Sequence, residues 1–309
     1  MHFRQPVREW GSIQYELGLL AKVQSSPMIS ALFGLASALG LGAADFMARF
    51  SSRALGAPLT YGVVLLVGAV GATIWLLASG AVLVWSPFGC TIAVIHGVSV
   101  SVMCILLYMG LARGPIAVVA PIVATHPALV LAVNVLMGMR PSAIQWAAMV
   151  TVLAGGILIA RSAEVGPDHS KASRTTLLIA FGACLAYVVI VLTAQVGTPL
   201  IGEFQTMWIG RWAGLAFIAL ILLFQQAKLR VPSEWLPFVG LQGSLDALGY
   251  FAFLAGANTA APYITMVVAS AFSVVTVLLA KLIIHEPVSK TQWGAIALIA
   301  AGTAVLSAT

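Results

Sequence analysis

Ten apolar runs, each near the length of a bilayer-crossing helix, set the limits on what this chain can fold into. They lie at about 28 to 49, 59 to 79, 88 to 111, 115 to 138, 142 to 160, 175 to 196, 204 to 224, 234 to 255, 260 to 284 and 291 to 308. A span of about 20 residues crosses ~30 Å of hydrocarbon as a helix. No run alternates polar and apolar residues in the way a membrane barrel needs, and a helix satisfies its own backbone hydrogen bonds in lipid. The sequence therefore predicts an all-α membrane protein with ten transmembrane helices. The composition leaves no room for a soluble fold: 61% of residues are hydrophobic, 8% are charged and the mean hydropathy is +1.05, where soluble domains carry roughly 25% charged residues.

The net charge of +6 comes from 15 Lys and Arg scattered through short loops. That pattern orients a membrane protein and argues against a nucleic-acid partner. Cys90, Cys104 and Cys184 sit in apolar runs without metal or redox spacing and read as packing residues. Residues 1–27 form a polar tail with no core for a cleaved signal. The first span is thus expected to act as its own targeting signal to the cytoplasmic (plasma) membrane. Met28, at the start of that span, is an expected translation start, which would make the tail an extension.

The longest polar connection, 161–174, separates two stretches that resemble each other, 28–160 and 175–309. At an offset of 147 residues Pro115 meets Pro262, Gln145-Trp146 meets Gln292-Trp293, and Gly155 meets Gly302; at 148, Phe33-Gly34 meets Phe181-Gly182. Five helices per copy would start the second copy on the other side of the membrane, so two inverted five-helix repeats are expected, an arrangement common among transporters. Loops on the N-terminal side hold four Lys or Arg and those opposite hold ten. By the positive-inside rule this favours both termini outside.

The second half reads His285-Glu286-Pro287-Val288-Ser289 followed by Gln292, Gly294 and Gly302. This resembles the "gE.ls..q..G..li..G" of the EamA-like, ten-helix form of the drug/metabolite transporter superfamily. The first half keeps Pro127, Gly138, Gln145 and Gly155, but has Met139 where the family often has Glu. Arg211 matches an arginine common in the second helix of the family's repeat, where the first half has Val64. Gly40 to Phe46, followed by Arg53, resembles a subgroup's "GasDF...sRR" stretch. The resemblance spans residues 28 to 308. It implies a small-molecule exporter, and it implies cytoplasmic termini, against the charge count.

Ionisable groups at lipid depth cost at least ~2.5 kcal/mol each and normally face a cavity or a partner. Asp45, His96, His126, Arg211 and Asp246 are the ones here. Asp45 either pairs with Arg49 one turn later or exchanges a proton or binds a cationic group. Gln242, Asp246 and Tyr250 recur every four residues as a polar stripe expected to line a cavity. Arg211, between Trp208 and Trp212, either anchors an anionic group of a substrate or pairs with Asp246 or Glu203. His96 and His126 are packing residues or proton carriers. Pro115, Pro121, Pro127 and Pro262 are expected hinges or static kinks. No metal site and no cofactor are expected, since neither His-x-x-x-His nor a Gly-x-x-x-x-Gly-Lys-[Ser/Thr] loop is present.

The expectation is a secondary transporter, not an enzyme, that exports a small metabolite or drug-like molecule by alternating access and is coupled to protons through Asp246 or Asp45. Its partners would be the substrate, the bilayer, protons and further copies of itself. An intramembrane enzyme acting on a lipid and a passive channel are the alternatives. The first lacks a His-Glu-x-x-His motif or a close pair of intramembrane carboxylates.

Overall fold

The computed structural model describes residues 27–165, 172–226 and 230–309. The expectations for the tail before residue 27 and for residues 166–171 of the linker fall outside the described residues. Those residues are all-helical, with ten helices long and apolar enough to cross a membrane. The helices are α1 (Pro27–Leu55), α2 (Ala57–Ser79), α3 (Pro87–Arg113), α4 (Ile116–Val123), α5 (His126–Leu136), α6 (Ala143–Val165), α7 (Arg174–Ile201), α8 (Glu203–Phe224), α9 (Leu236–Ala257), α10 (Pro262–Ala269), α11 (Phe272–Ile283) and α12 (Lys290–Ala308). The pairs α4–α5 and α10–α11 each make one crossing, interrupted midway.

The interruption at Ala124–Thr125 has a chemical cause. Pro127 lacks the N–H that would bond the Val123 carbonyl, and His126 Nδ1 lies 3.1 Å from that orphaned oxygen. Thr125 Oγ1 donates to Ile122 O at 2.7 Å, and Thr303 Oγ1 of α12 donates to Ala124 O at 3.5 Å. The break at Ser270–Ala271 contains no proline. There Ser270 Oγ donates to Val267 O at 2.7 Å. Pro115 is the N-cap of α4 and Pro262 the first residue of α10, so both begin a helix, whereas Pro121 lies inside α4.

Two turns repeat across the chain at the offset of 147. Gly138 (φ 101°) and His285 (φ 54°) both take a left-handed conformation, and each leads into a reciprocal cap. Ser142 N–H donates to Gln145 Oε1 (2.9 Å) while Gln145 N–H donates to Ser142 Oγ (3.3 Å). Ser289 N–H donates to Gln292 Oε1 (2.8 Å) while Gln292 N–H donates to Ser289 Oγ (3.1 Å). The helices that follow, α6 and α12, pack on each other through glycine. A β-carbon on Gly155 would lie 2.7 Å from Ile299 Cγ1 and 3.0 Å from Ala295 O; one on Gly302 would lie 2.6 Å from Val152 Cγ2 and 3.0 Å from Ala148 O. The offset of 147 carries each contact onto the other. The N-terminal half of either helix meets the C-terminal half of its mate, so the pair is antiparallel.

Elsewhere the first five crossings interlock with the last five: α1 packs against α9, α10 and α11, α2 against α8 and α9, and α3 against α7 and α8. Ten alternating crossings put Pro27 and Thr309 on one face, the terminal face. The opposite face carries the α1–α2, α3–α4 and α11–α12 connections.

Candidate functional site

Arg211 is the centre of the polar core. It projects from α8 and is 8% exposed, and its Nη2 donates to Asp246 Oδ2 of α9 at 3.1 Å. The guanidinium also lies over the Tyr250 ring, one turn further along α9, at 5.5 Å from the ring centre. Its third wall is Gly68 of α2: a β-carbon there would fall on Arg211 Nη1 and Cζ. Pairing lifts the cost of two isolated charges in an apolar interior, although a buried pair is weak evidence for stability in itself.

The tryptophans on either side of Arg211 fix the helix that carries it. Trp208 Nε1 and Trp212 Nε1 both donate to Thr73 Oγ1 of α2, at 3.0 and 3.1 Å. That hydroxyl donates in turn to Ala69 O at 2.8 Å, so its hydrogen-bonding capacity is filled. Thr73 and Gly68 thus register α2 against α8.

Asp45 stands apart. Arg49, its expected partner, donates through Nη1 to Gly114 O at 2.7 Å and lies 3.3 Å from Glu286 Oε2. Among the described residues Asp45 has neither a hydrogen bond nor an ion pair. Asp45 is half-buried. The reading of Asp45 as a partner of Arg49 is therefore not what the fold contains.

The stripe Gln242, Asp246, Tyr250 divides by depth. Gln242 is fully buried; its Oε1 accepts from Ser51 Oγ at 2.7 Å and its Nε2 donates to Tyr108 Oη at 3.1 Å, with Tyr61 edge-on to Tyr108. Asp246 and Tyr250 are half-buried. His96 Nδ1 lies 3.2 Å from both Ile190 O and Thr193 Oγ1 of α7, a buried packing contact. His126 stacks on Tyr187, with ring centres 3.6 Å apart. The structure thus joins Arg211, Asp246 and Tyr250 by direct contact and His126 to Tyr187, with Asp45 apart from both, and gives His96 and Gln242 hydrogen-bond partners of their own. No group of three His, Cys, Asp or Glu that could hold a metal exists among the described residues.

A cavity of about 280 Å³ opens at the terminal face, lined in part by Trp75, Val82, Glu203, Phe204 and Asn258. Trp75 and Phe204 pack at 4.3 Å, and Phe204 lies 6.4 Å from Phe251. Arg211 is eight residues along α8 from Glu203, about 12 Å deeper at the helical rise.

Gly68, Thr73 and the Ser51–Gln242–Tyr108 network escape a sequence reading. One glycine among 29 carries no mark of its role, although Gly68 lies one turn beyond Val64, the residue aligned with Arg211.

Residues 174–308 match the model of the EamA-like transporter family. No curated protein matches the sequence. A solved crystal structure aligns over 91% of this chain and 96% of its own with a TM-score of 0.62 at 19% identity. That likeness establishes a shared fold over nearly the whole length.

Proposed function

We propose, from the premise that residues 174–308 belong to the EamA-like transporter family, that this membrane transporter of the drug/metabolite type is a secondary-active exporter of a small metabolite or drug-like molecule. It works by alternating access between two inverted halves, 28–160 and 175–309, joined by the 161–174 linker. The observation that carries this reading is the core itself: Gly68 from an early crossing and Arg211, Asp246 and Tyr250 from late ones form one polar cluster in an apolar bundle. Charges at that depth are held only where they face a cavity or one another. The antiparallel, reciprocal α6–α12 contact supports the inversion, and the terminal-face cavity supports a route inward.

Within the site the roles divide by partner. Asp246 has a standing counter-ion in Arg211, which suits the pair to holding a polar group of the substrate. Asp45 has no counter-charge among the described residues and is the carboxylate we assign to proton exchange. Transport at the cytoplasmic (plasma) membrane, the export direction and self-association belong to the same proposal.

The test is uptake and efflux of a solute panel in proteoliposomes with and without an imposed pH gradient. Saturable, gradient-driven flux is expected, with Asp45→Asn reducing flux to the level seen without a gradient and Asp246→Asn raising the half-saturating concentration. Flux that neither saturates nor responds to the gradient would mean a channel. An Asp45→Asn protein as gradient-driven as wild type would remove the coupling assignment.

A further inference from the structure

Glu286 belongs to the sequence motif shared with the family, yet it lies outside the polar core and reaches into a different structure. It sits between α11 and α12 on the opposite face and is 8% exposed. The left-handed His285 ends α11, and the Glu286 N–H bonds Ala280 O at 3.1 Å. From there Glu286 Oε1 accepts from the Ala117 N–H at 2.9 Å, in the first turn of α4. Pro115, the N-cap of α4, gives no side-chain cap, so Glu286 supplies both the missing acceptor and the negative charge favoured at a helix N-terminus. The first turn it holds, Ile116 to Val119, is fully buried.

Arg49 closes the arrangement from α1. Its Nη1 bonds Gly114 O at 2.7 Å and lies 3.3 Å from Glu286 Oε2, and one turn later Arg53 Nε bonds Ala112 O at 2.7 Å. Three connections, from the end of α1, the α3–α4 junction and the α11–α12 turn, are thereby tied together. The tie is tight at one atom and loose at another: Glu286 Oε2 is buried without an aligned hydrogen bond. Buried polar atoms in finished cores seldom stay in that condition, whereas a contact that must release in part of a cycle gains by it.

The terminal face has the same backbone turn without the charges. Gly138 takes the left-handed role of His285 and the Ser142–Gln145 cap repeats that of Ser289–Gln292. Met139, 43% exposed, stands where Glu286 would be, and at the offset of 148 that relates α1 to α7 the buried Gly197 stands where Arg49 would be. Among the described residues the tie exists on one face only, and a cavity opens on the other.

We infer that Arg49 and Glu286 form a one-sided latch: it holds the opposite face shut by capping α4, and its absence from the terminal face biases the protein toward opening there. This rests on the alternating-access reading for its meaning in transport, but not for its existence. The experiment is amide hydrogen exchange of the full chain in lipid nanodiscs, comparing wild type with Glu286→Gln and with Arg49→Gln. Arg49→Gln breaks the pair from α1 while leaving the α4 cap in place, so it serves where Glu286→Gln folds poorly. Glu286→Gln should speed exchange in residues 116–119 by about tenfold or more and Arg49→Gln by less, and both should, in the same molecules, slow exchange around 203–207 and 81–84 as the terminal face closes. Glu286→Asp, which keeps the charge, should give an intermediate result. Faster exchange at 116–119 with no change at the terminal face would reduce Glu286 to a helix cap and overturn the latch, as would no change at either face. Reciprocal exchange in a protein that moves no solute would keep the latch and remove the carrier.

Discussion

At the scale of single residues, the site turns on what surrounds Arg211. Gly68→Val puts a branched side chain where the guanidinium lies, so Arg211 must turn away from Asp246. Transport in proteoliposomes is expected to fall at least tenfold, a loss of about 1.4 kcal/mol or more, with the purified protein still monodisperse. Arg211→Lys keeps the charge but not the planar group that lies over Tyr250 and reaches Asp246, and it should also fall well below wild type. Thr73→Val leaves two indole N–H groups without their acceptor. It is expected to lower stability by about 1–3 kcal/mol, read as a drop in unfolding midpoint. The charges of this site are legible in the sequence because Arg211, Asp246 and Asp45 interrupt long apolar runs. The contacts that define them are not. Spacing of four places Gln242, Asp246 and Tyr250 on one face, but each is about 6 Å from the next along the axis, deep enough for each to meet different neighbours. Arg49 is likewise four residues from Asp45, and tertiary structure directs it to Glu286 instead.

Among elements, the instructive pair is the two interrupted crossings. Proline signals the first, through the carbonyl it orphans at Val123, and gives no hint of the second, where the chain breaks at Ser270–Ala271 with hydroxyls in support. The ten crossings themselves are plain in the hydropathy pattern, although α1 runs on to Leu55 past the expected end near residue 49. The recurrence of Gln-Trp has a physical reason that spacing alone could not supply: in both places the glutamine closes a helix N-terminus on its serine. Gln292→Ala and Gln145→Ala should each cost about 1 kcal/mol, measurable as matched shifts in unfolding midpoint. Gly302→Leu drives a side chain into Val152 and Ala148 O. It should cost about 1–3 kcal/mol, and Gly155→Leu should cost a similar amount if the contact is reciprocal.

For the whole molecule, the decisive measurement is sidedness. Single cysteines at Met139 and at Lys290, in a chain with Cys90, Cys104 and Cys184 replaced by serine, are expected to react with a membrane-impermeant maleimide from opposite sides of sealed vesicles. Labelling from one side would break the inverted arrangement, and the side of each would decide between the charge count and the orientation that the family resemblance implies. The interlocked packing of α1 on α9 to α11, and of α3 on α7 and α8, carries a consequence for biogenesis. A ribosome that has finished residue 165 has placed in the bilayer a set of helices whose neighbours are still unwritten. Asp45 then has lipid where α9 will later stand, and Gly68 waits beside a groove for an arginine not yet made. The early crossings must be sheltered by the insertion machinery until the late ones arrive, and a chain truncated at that point would be a substrate for quality-control proteases.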